Sequence, residues 1–124
     1  MKSDHEALIS KLSVGDMFHA SFSNEAIRIC IVTSVNNATL VARAVTTQEV
    51  FSFDRILGKA ASIEGAVCTI DSVHPLPREI RDVLLEIDRR YGGKPGPDGL
   101  PLSSIERRAL LDAMALFSSN PLAH

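Results

Sequence analysis

Hydrophobic and polar positions alternate between Ile27 and Asp54 in a pattern that predicts three consecutive β-strands. The stretch is dense in β-branched and aromatic residues, which suit a pleated, half-buried sheet. Two polar segments, Asn36-Asn37 and Thr46 to Glu49, divide it and are expected to form tight turns. The stretch is therefore predicted to be an antiparallel meander around which the rest of the chain is organised.

The first strand of this meander has two unlike sides. One side of the extended strand is uniformly apolar and contains Ile27, Ile29 and Ile31. Arg28 and Cys30 lie on the other side. The second side mixes polar and apolar residues. Antiparallel sheets commonly have one solvated side, so we expect one side of this sheet to face solvent.

Two more strands are predicted, over Met17 to Phe22 and over Ala66 to Val73, which gives five in all. Between them, Arg55 to Gly65 suits one helical turn or a packed loop, and no helix is long enough for a parallel crossover. The predicted fold class is α+β, with a small five-stranded antiparallel barrel or strongly curled sheet. An SH3-like barrel is favoured over an OB-like one because the middle strands meander through tight turns.

Helical periodicity is found outside the sheet region. A short helix is predicted over Ser3 to Leu12, and a longer one, with a continuous apolar face, over Arg78 to Tyr91. Glycines and prolines in residues 93–102 predict a linker. After it, Ser103 to Glu106 fits a capping box that opens a last helix. The predicted organisation is one unit over 1–92, the linker, and a C-terminal helical segment over 103–124.

The C-terminal helix is apolar over much of its circumference. Leu110, Leu111, Met114 and Phe117 give it more apolar surface than one packing site normally covers, so they are predicted to bind a protein partner or a second copy of the chain. An exchange of this helix between two chains would form such a dimer. The alternative interpretation is that the helix packs between the barrel and the helix at Arg78 to Tyr91.

A second predicted partner surface lies at one rim of the barrel, where polar residues flank the last two strands of the meander. It consists of Arg43, Gln48, Glu49, Asp54 and Arg55. Their placement on one rim depends on the strand register, because a shift of one residue would move each side chain to the other side of the sheet. The alternative interpretation is that they are hairpin residues that serve only solubility.

Composition and charge narrow the classes of partner. Thirteen Lys and Arg against fifteen Asp and Glu give a net charge of -2 and a pI near 6.0, so the basic excess typical of nucleic-acid binders is absent from the sequence. No apolar run reaches the length of a membrane span, so no membrane association is expected. A nucleic-acid-associated barrel stays an alternative, through Arg43, Arg55 and the arginines that follow Pro77.

The sequence contains no recognisable catalytic, metal-binding or phosphate-binding motif. The histidines and the two cysteines, Cys30 and Cys68, have no metal-ligand spacing, and neither a nucleophile motif nor a glycine-rich phosphate loop occurs. We therefore predict no catalytic residues, no metal and no cofactor, and two reduced, buried thiols in a cytoplasmic protein. The predicted function is a non-enzymatic interaction module, with a small enzyme of unrecognised site as a further alternative.

Overall fold

The structure, a computed structural model, describes residues 4–22, 27–61, 67–92 and 102–121. It contains three helices and six strands in these ranges. In chain order they are α1 (Asp4–Ser10), β1 (Met17–Phe22), β2 (Ile27–Val35), β3 (Thr39–Ala44), β4 (Val50–Asp54), β5 (Lys59–Ala61), β6 (Val67–Ser72), α2 (Arg78–Tyr91) and α3 (Ser104–Ser119). The predicted linker lies, except for residue 102, outside the described residues.

The strands form one antiparallel sheet in the order β4-β3-β2-β1-β6-β5. β2, β3 and β4 are neighbours in both sequence and space, as predicted for the meander. The two outermost strands, β4 and β5, follow each other in the chain through a turn of four residues, so the sheet curls until it is nearly barrel-shaped. The α+β, barrel-like class is confirmed.

The prediction of five strands was wrong by one among the described residues. The extra strand, β5, lies in the segment that was predicted to be a helical turn or a packed loop, and it pairs with β6. Gly58 makes this path available, since it adopts a left-handed conformation with φ of 69°. Its amide donates to the carbonyl of Asp54 at 2.8 Å, and its carbonyl accepts from Ile70 at 2.8 Å. A strand of three residues is too short to produce a recognisable alternation.

The barrel interior is the first of two hydrophobic cores. Phe18 and Ala20 point into it, together with alternate residues of β3 and β4. The rings of Phe18 and Phe53 meet edge to face with centroids 5.2 Å apart. Ile9 of α1 is fully buried against this core, so the short N-terminal helix is held by packing.

The second core lies on the outer side of β1 and β2, where α2 and α3 cover the sheet. It joins Ile29 and Ile31 of β2 to Leu84 and Ile87 of α2 and to Phe117 of α3. The expectation of a solvated side therefore fails for the middle of β2. Cys30 and Val32, on the mixed side, face the barrel interior, and the isoleucine side lies under the helices.

Both cysteine side chains lie inside the barrel as free thiols. Burial raises the pKa of Cys68 to about 11 and raises that of Cys30 further. Because the thiolate is the reactive form, we expect neither cysteine to react with a thiol reagent such as DTNB in the native protein at neutral pH. Both should react within the mixing time after denaturation in guanidinium chloride. Rapid labelling of one thiol in the native state would contradict its burial.

Candidate binding groove

An apolar groove of about 120 Å³ runs between α3 and the start of β2. Leu110 and Met114 of α3 form one wall, and Ile27, Ile29 and Val45 form the other. Arg28 and Thr46 complete its lining. Ile27 is 40 % exposed, so the groove is open to solvent along one side. We call this feature the α3–β2 groove.

The position of α3 follows from a stripe of buried residues along the helix. Ala109, Ala113 and Phe117 recur at every fourth position and are buried, with Phe117 only 1 % exposed. Leu110 and Met114 form the adjacent stripe and are half-buried. The helix therefore docks through one stripe and leaves the next at the edge of the interface, where it lines the groove.

Polar contacts fix the first turn of α3. The predicted capping box is confirmed, because the Ser103 hydroxyl accepts from the Glu106 amide at 3.2 Å and the Glu106 carboxylate accepts from the Ser103 amide at 2.8 Å. Glu106 also binds Arg90 of α2 at 2.8 Å. The Ser103 amide is the main cause that holds the pKa of Glu106 below its usual value, against the effect of burial, and Arg90 adds to it.

The other end of α3 is held by β1 and β6. The ring of His19 lies against that of Phe117, with centroids 5.8 Å apart, and His19 Nδ1 is 2.6 Å from a carboxylate oxygen of Asp71. The Ser72 hydroxyl donates to the carbonyl of Asn120 at 2.7 Å. With both ends anchored, the groove wall that α3 provides is fixed relative to the sheet.

The four residues predicted to bind a partner on α3 are placed in three different environments. Leu110 and Met114 line the groove, whereas Phe117 lies in the outer core of the chain itself. Leu111 is 58 % exposed and is not part of the groove lining. The alternative interpretation, packing against α2 and the barrel, describes the buried stripe of α3. Partner binding by these residues stays a prediction, and the groove contains Leu110 and Met114 but not Leu111.

The five residues predicted for the barrel rim divide between two ends of the sheet. Arg43, Gln48 and Glu49 surround the β3–β4 turn, where Arg43 pairs with Val50. Asp54 pairs with Thr39 at the opposite end of the same ladder, and Arg55 follows it. The structure therefore does not bring these five side chains together.

Arg43 and Gln48 join the β3–β4 turn to α2 through one carboxylate. Asp88 accepts two hydrogen bonds from the Arg43 guanidinium, at 2.9 and 2.6 Å, and a third from the Gln48 amide at 2.9 Å. Burial by itself would raise the pKa of Asp88, but the hydrogen bonds from Arg43 and Gln48 and the Arg43 charge together lower it. Gln48 has φ of 61°, a conformation that is uncommon for a residue other than glycine, and it also donates to the Val45 carbonyl at 2.7 Å.

Glu49 forms an ion pair with Arg28, a lining residue of the α3–β2 groove. Its carboxylate accepts from Arg28 at 2.8 Å, and the Arg28 guanidinium lies 5.3 Å from the centre of the Phe22 ring. Burial acts to raise the pKa of Glu49, but hydrogen bonds from Arg28 and Thr47 and the Arg28 charge outweigh it, so this pKa is lowered. The ion pair therefore places one fixed cation and one fixed anion beside the apolar wall.

Asp54 and Arg55 stabilise turns at the other end of the sheet. The Asp54 carboxylate accepts from the amides of Ile56 and Leu57 at 2.7 and 3.3 Å. Arg55 donates to the carbonyl of Asn36 at 2.7 Å and to that of Ser10, the last residue of α1, at 2.6 Å. These contacts tie α1 to the β2–β3 and β4–β5 turns.

Sequence reasoning missed the sheet wall of the groove. The sequence pattern identifies Ile27 and Ile29 as one apolar side of a strand, but it indicates no role for Val45 or Thr46. The available signal was that β2 has apolar residues on both sides in its middle. Such a pattern indicates a strand that is covered twice, once by the barrel and once by helices.

The arginines of the nucleic-acid alternative are largely engaged within the chain. Arg43, Arg78, Arg89 and Arg90 each pair with a carboxylate, and Arg55 with carbonyl groups. Within the described ranges, no cluster of three or more His, Cys, Asp or Glu side chains could hold a metal ion. None of the described helices is long and apolar enough to span a membrane.

The groove and the ion pair at its edge are therefore the candidate functional site. Their chemistry is suited to holding an apolar side chain of another molecule, with polar groups at the edge to orient it. Comparison of the chain with protein-family models, with curated proteins and with solved structures finds no match.

Proposed function

We propose that this protein is a non-enzymatic interaction module that binds a protein partner in the α3–β2 groove. The observation that carries the proposal is the open apolar groove between Leu110 and Met114 on α3 and Ile27 and Ile29 on β2. A groove that presents apolar side chains with polar groups at its edge has the chemistry of an anchor pocket in a protein interface. The proposed barrel type is SH3-like, supported by the short turns that join β2, β3 and β4.

The partner that fits this groove is a protein segment with an apolar anchor residue and an acidic neighbour. The groove accommodates about one large side chain by its volume of about 120 Å³. Arg107 is exposed one helical turn before Leu110 and Leu111, and no described carboxylate forms an ion pair with it. An acidic residue beside the anchor would pair with Arg107 and steer the encounter.

The proposed location is the cytoplasm. It is supported by two free cysteines that are buried without a disulfide. In this setting the partner would be a cytoplasmic protein, and association of the chain with a second copy of itself is the competing form of the same proposal.

The test is a selection of displayed random peptides on the immobilised full-length protein. We expect the enriched peptides to share an apolar residue next to an acidic one. Met114→Lys should weaken their binding by 10-fold or more, because it places an unpaired charge in the apolar wall. Leu111→Lys, on the same helix but outside the groove, is the matched control and should leave binding within about 3-fold.

Two results would contradict the proposal. One is that no peptide is enriched over a blank surface while light scattering shows the protein to be monomeric. The other is that the enriched peptides bind Met114→Lys as tightly as the wild type. If light scattering instead shows a dimer that Met114→Lys dissociates and Leu111→Lys does not, the groove is the interaction site and the partner is a second copy.

A further inference from the structure

A second cavity, of about 190 Å³, lies at the start of α2, away from the α3–β2 groove. Its walls are aliphatic and come from three parts of the chain: Leu12 after α1, Met17 of β1, and Val73 and Leu76 before α2. Asp16 and Arg81 are the charged residues of its lining. We call it the α2 cavity.

The Arg81 guanidinium is a charged group of the cavity lining that has no carboxylate partner among the described residues. It is half-buried and donates to the neutral carbonyl of Gly15 at 2.9 Å. By contrast, Arg43 and Arg90, also partly buried, each bind a carboxylate. Because a guanidinium has five N–H donors, Arg81 retains donors for a carboxylate in the cavity.

The start of α2 adds to the positive potential around Arg81. Pro77 is the N-cap, and it provides no side-chain acceptor for the first amides of the helix. Glu79 in the first turn offsets part of this potential, and residues 77–79 do not line the cavity. Arg81 is therefore the group of the lining that would hold an anion.

Asp16 supplies the opposite charge next to Arg81. It follows Gly15 directly in the chain, and Gly15 is the residue whose carbonyl Arg81 contacts. One carboxylate oxygen, Oδ2, accepts from the amide and the hydroxyl of Ser13 at 2.9 and 3.2 Å. The other oxygen has no hydrogen-bond donor among the described residues, so it can accept from an ammonium group.

We propose that the α2 cavity binds an aliphatic α-amino acid. Arg81 would hold its carboxylate, the free oxygen of Asp16 its ammonium group, and the aliphatic walls its side chain. The volume of the cavity suits a molecule of the size of leucine, and a ligand this small is expected to bind with a Kd on the order of 0.1–1 mM. This site does not depend on the proposed partner groove, because the two share no lining residue.

The experiment is a titration of the ¹⁵N-labelled full chain, followed by NMR, with three probes. L-leucine should give saturable shifts at Leu12, Val73 and Leu76. 4-Methylpentanoate, which lacks the ammonium group, and 3-methylbutylamine, which lacks the carboxylate, should each bind at least 10-fold more weakly. Equal binding of leucine and 4-methylpentanoate, or no saturable shift with leucine, would overturn the proposal.

Arg81→Gln is the variant that tests the carboxylate contact, and it should weaken leucine binding at least 10-fold. Arg78→Gln, in the same turn but with its side chain 89 % exposed, is the control and should leave the Kd unchanged. Circular dichroism establishes beforehand that each variant is folded. If Arg81→Gln is unfolded, the three-probe titration of the wild type decides the question alone. Unchanged leucine binding by a folded Arg81→Gln variant would overturn the proposal.

Discussion

Replacing Phe117 by alanine should lower the free energy of unfolding by about 3–5 kcal/mol, the usual cost of removing a buried aromatic side chain. Phe117 is 1 % exposed and lies in the outer core against the sheet and α2. Its loss removes apolar contacts and leaves a cavity that the fixed ends of α3 hinder from closing. Equilibrium unfolding in urea, followed by circular dichroism, measures the change.

The matched control is Leu111→Ala on the same helix. Leu111 is 58 % exposed, so its truncation should change the free energy of unfolding by no more than about 0.5 kcal/mol. Similar effects of the two substitutions would contradict the assignment of Phe117 to the core. The comparison also separates two residues that the sequence pattern of α3 made equivalent.

Replacing Asp88 by alanine should cost about 2–3 kcal/mol. The substitution leaves Arg43 and Gln48 without the carboxylate that both contact, and removing one member of a buried ion pair is strongly destabilising. We set the expectation below the full cost for a buried pair because the Arg43 side chain is 32 % exposed and water can solvate it in part. Urea unfolding of the variant measures the loss.

Asp82→Ala on the same helix is the control, because its ion pair with Arg78 is exposed and 3.7 Å long. Its expected cost is no more than about 0.5 kcal/mol. A double-mutant cycle with Arg43→Ala isolates the contact and should give a coupling of about 1–3 kcal/mol. A coupling near zero would mean that the Arg43–Asp88 pair contributes nothing to stability.

The same carboxylate makes part of the stability pH-dependent. The folded protein lowers the pKa of Asp88, so its contribution is fully present above the unfolded value of about 3.9 and is lost as the pH falls through the folded pKa. The difference in stability between wild type and Asp88→Ala should therefore be constant near neutral pH and shrink below about pH 4. A difference that grows on acidification would contradict the lowered pKa.

The strands and helices with clear periodicity were predicted from the sequence, and the three-residue strand β5 was not. The meander of β2, β3 and β4 is visible because side chains alternate over several residues in each strand. β5 has three residues, and its pairing with β6 depends on the turn at Gly58, a tertiary feature. The additional strand was therefore beyond the reach of pattern alone.

The prediction that one side of the sheet faces solvent is wrong for the middle of β2. Local composition does not show that α2 and α3 cover one side of this strand. Arg28 made one side look polar, yet it lies near the start of the strand, where its side chain reaches Glu49. Further along the same side, Cys30 and Val32 are buried inside the barrel. The average polarity of one side of a strand therefore does not show whether its polar residue lies at the exposed end or its apolar residues lie in the buried middle.

The sequence predicted the α3 wall of the groove but not its sheet wall. Leu110 and Met114 were identified from the apolar surface of α3, and this surface exceeds what the buried stripe uses. The sheet wall could not be added without knowing that α3 docks beside the start of β2. Likewise, the sequence does not show that Arg43 and Gln48 contact Asp88, because Asp88 is 40 or more positions away in the chain.

The most direct test of the groove as the partner site is NMR shift mapping of the ¹⁵N-labelled full chain with a selected peptide. The expected result is that the largest shifts fall on Ile27, Ile29 and Val45 and on Leu110 and Met114 of α3. Shifts confined to other surfaces, such as the exposed turn at Ile56 and Leu57, would contradict the assignment of partner binding to this groove.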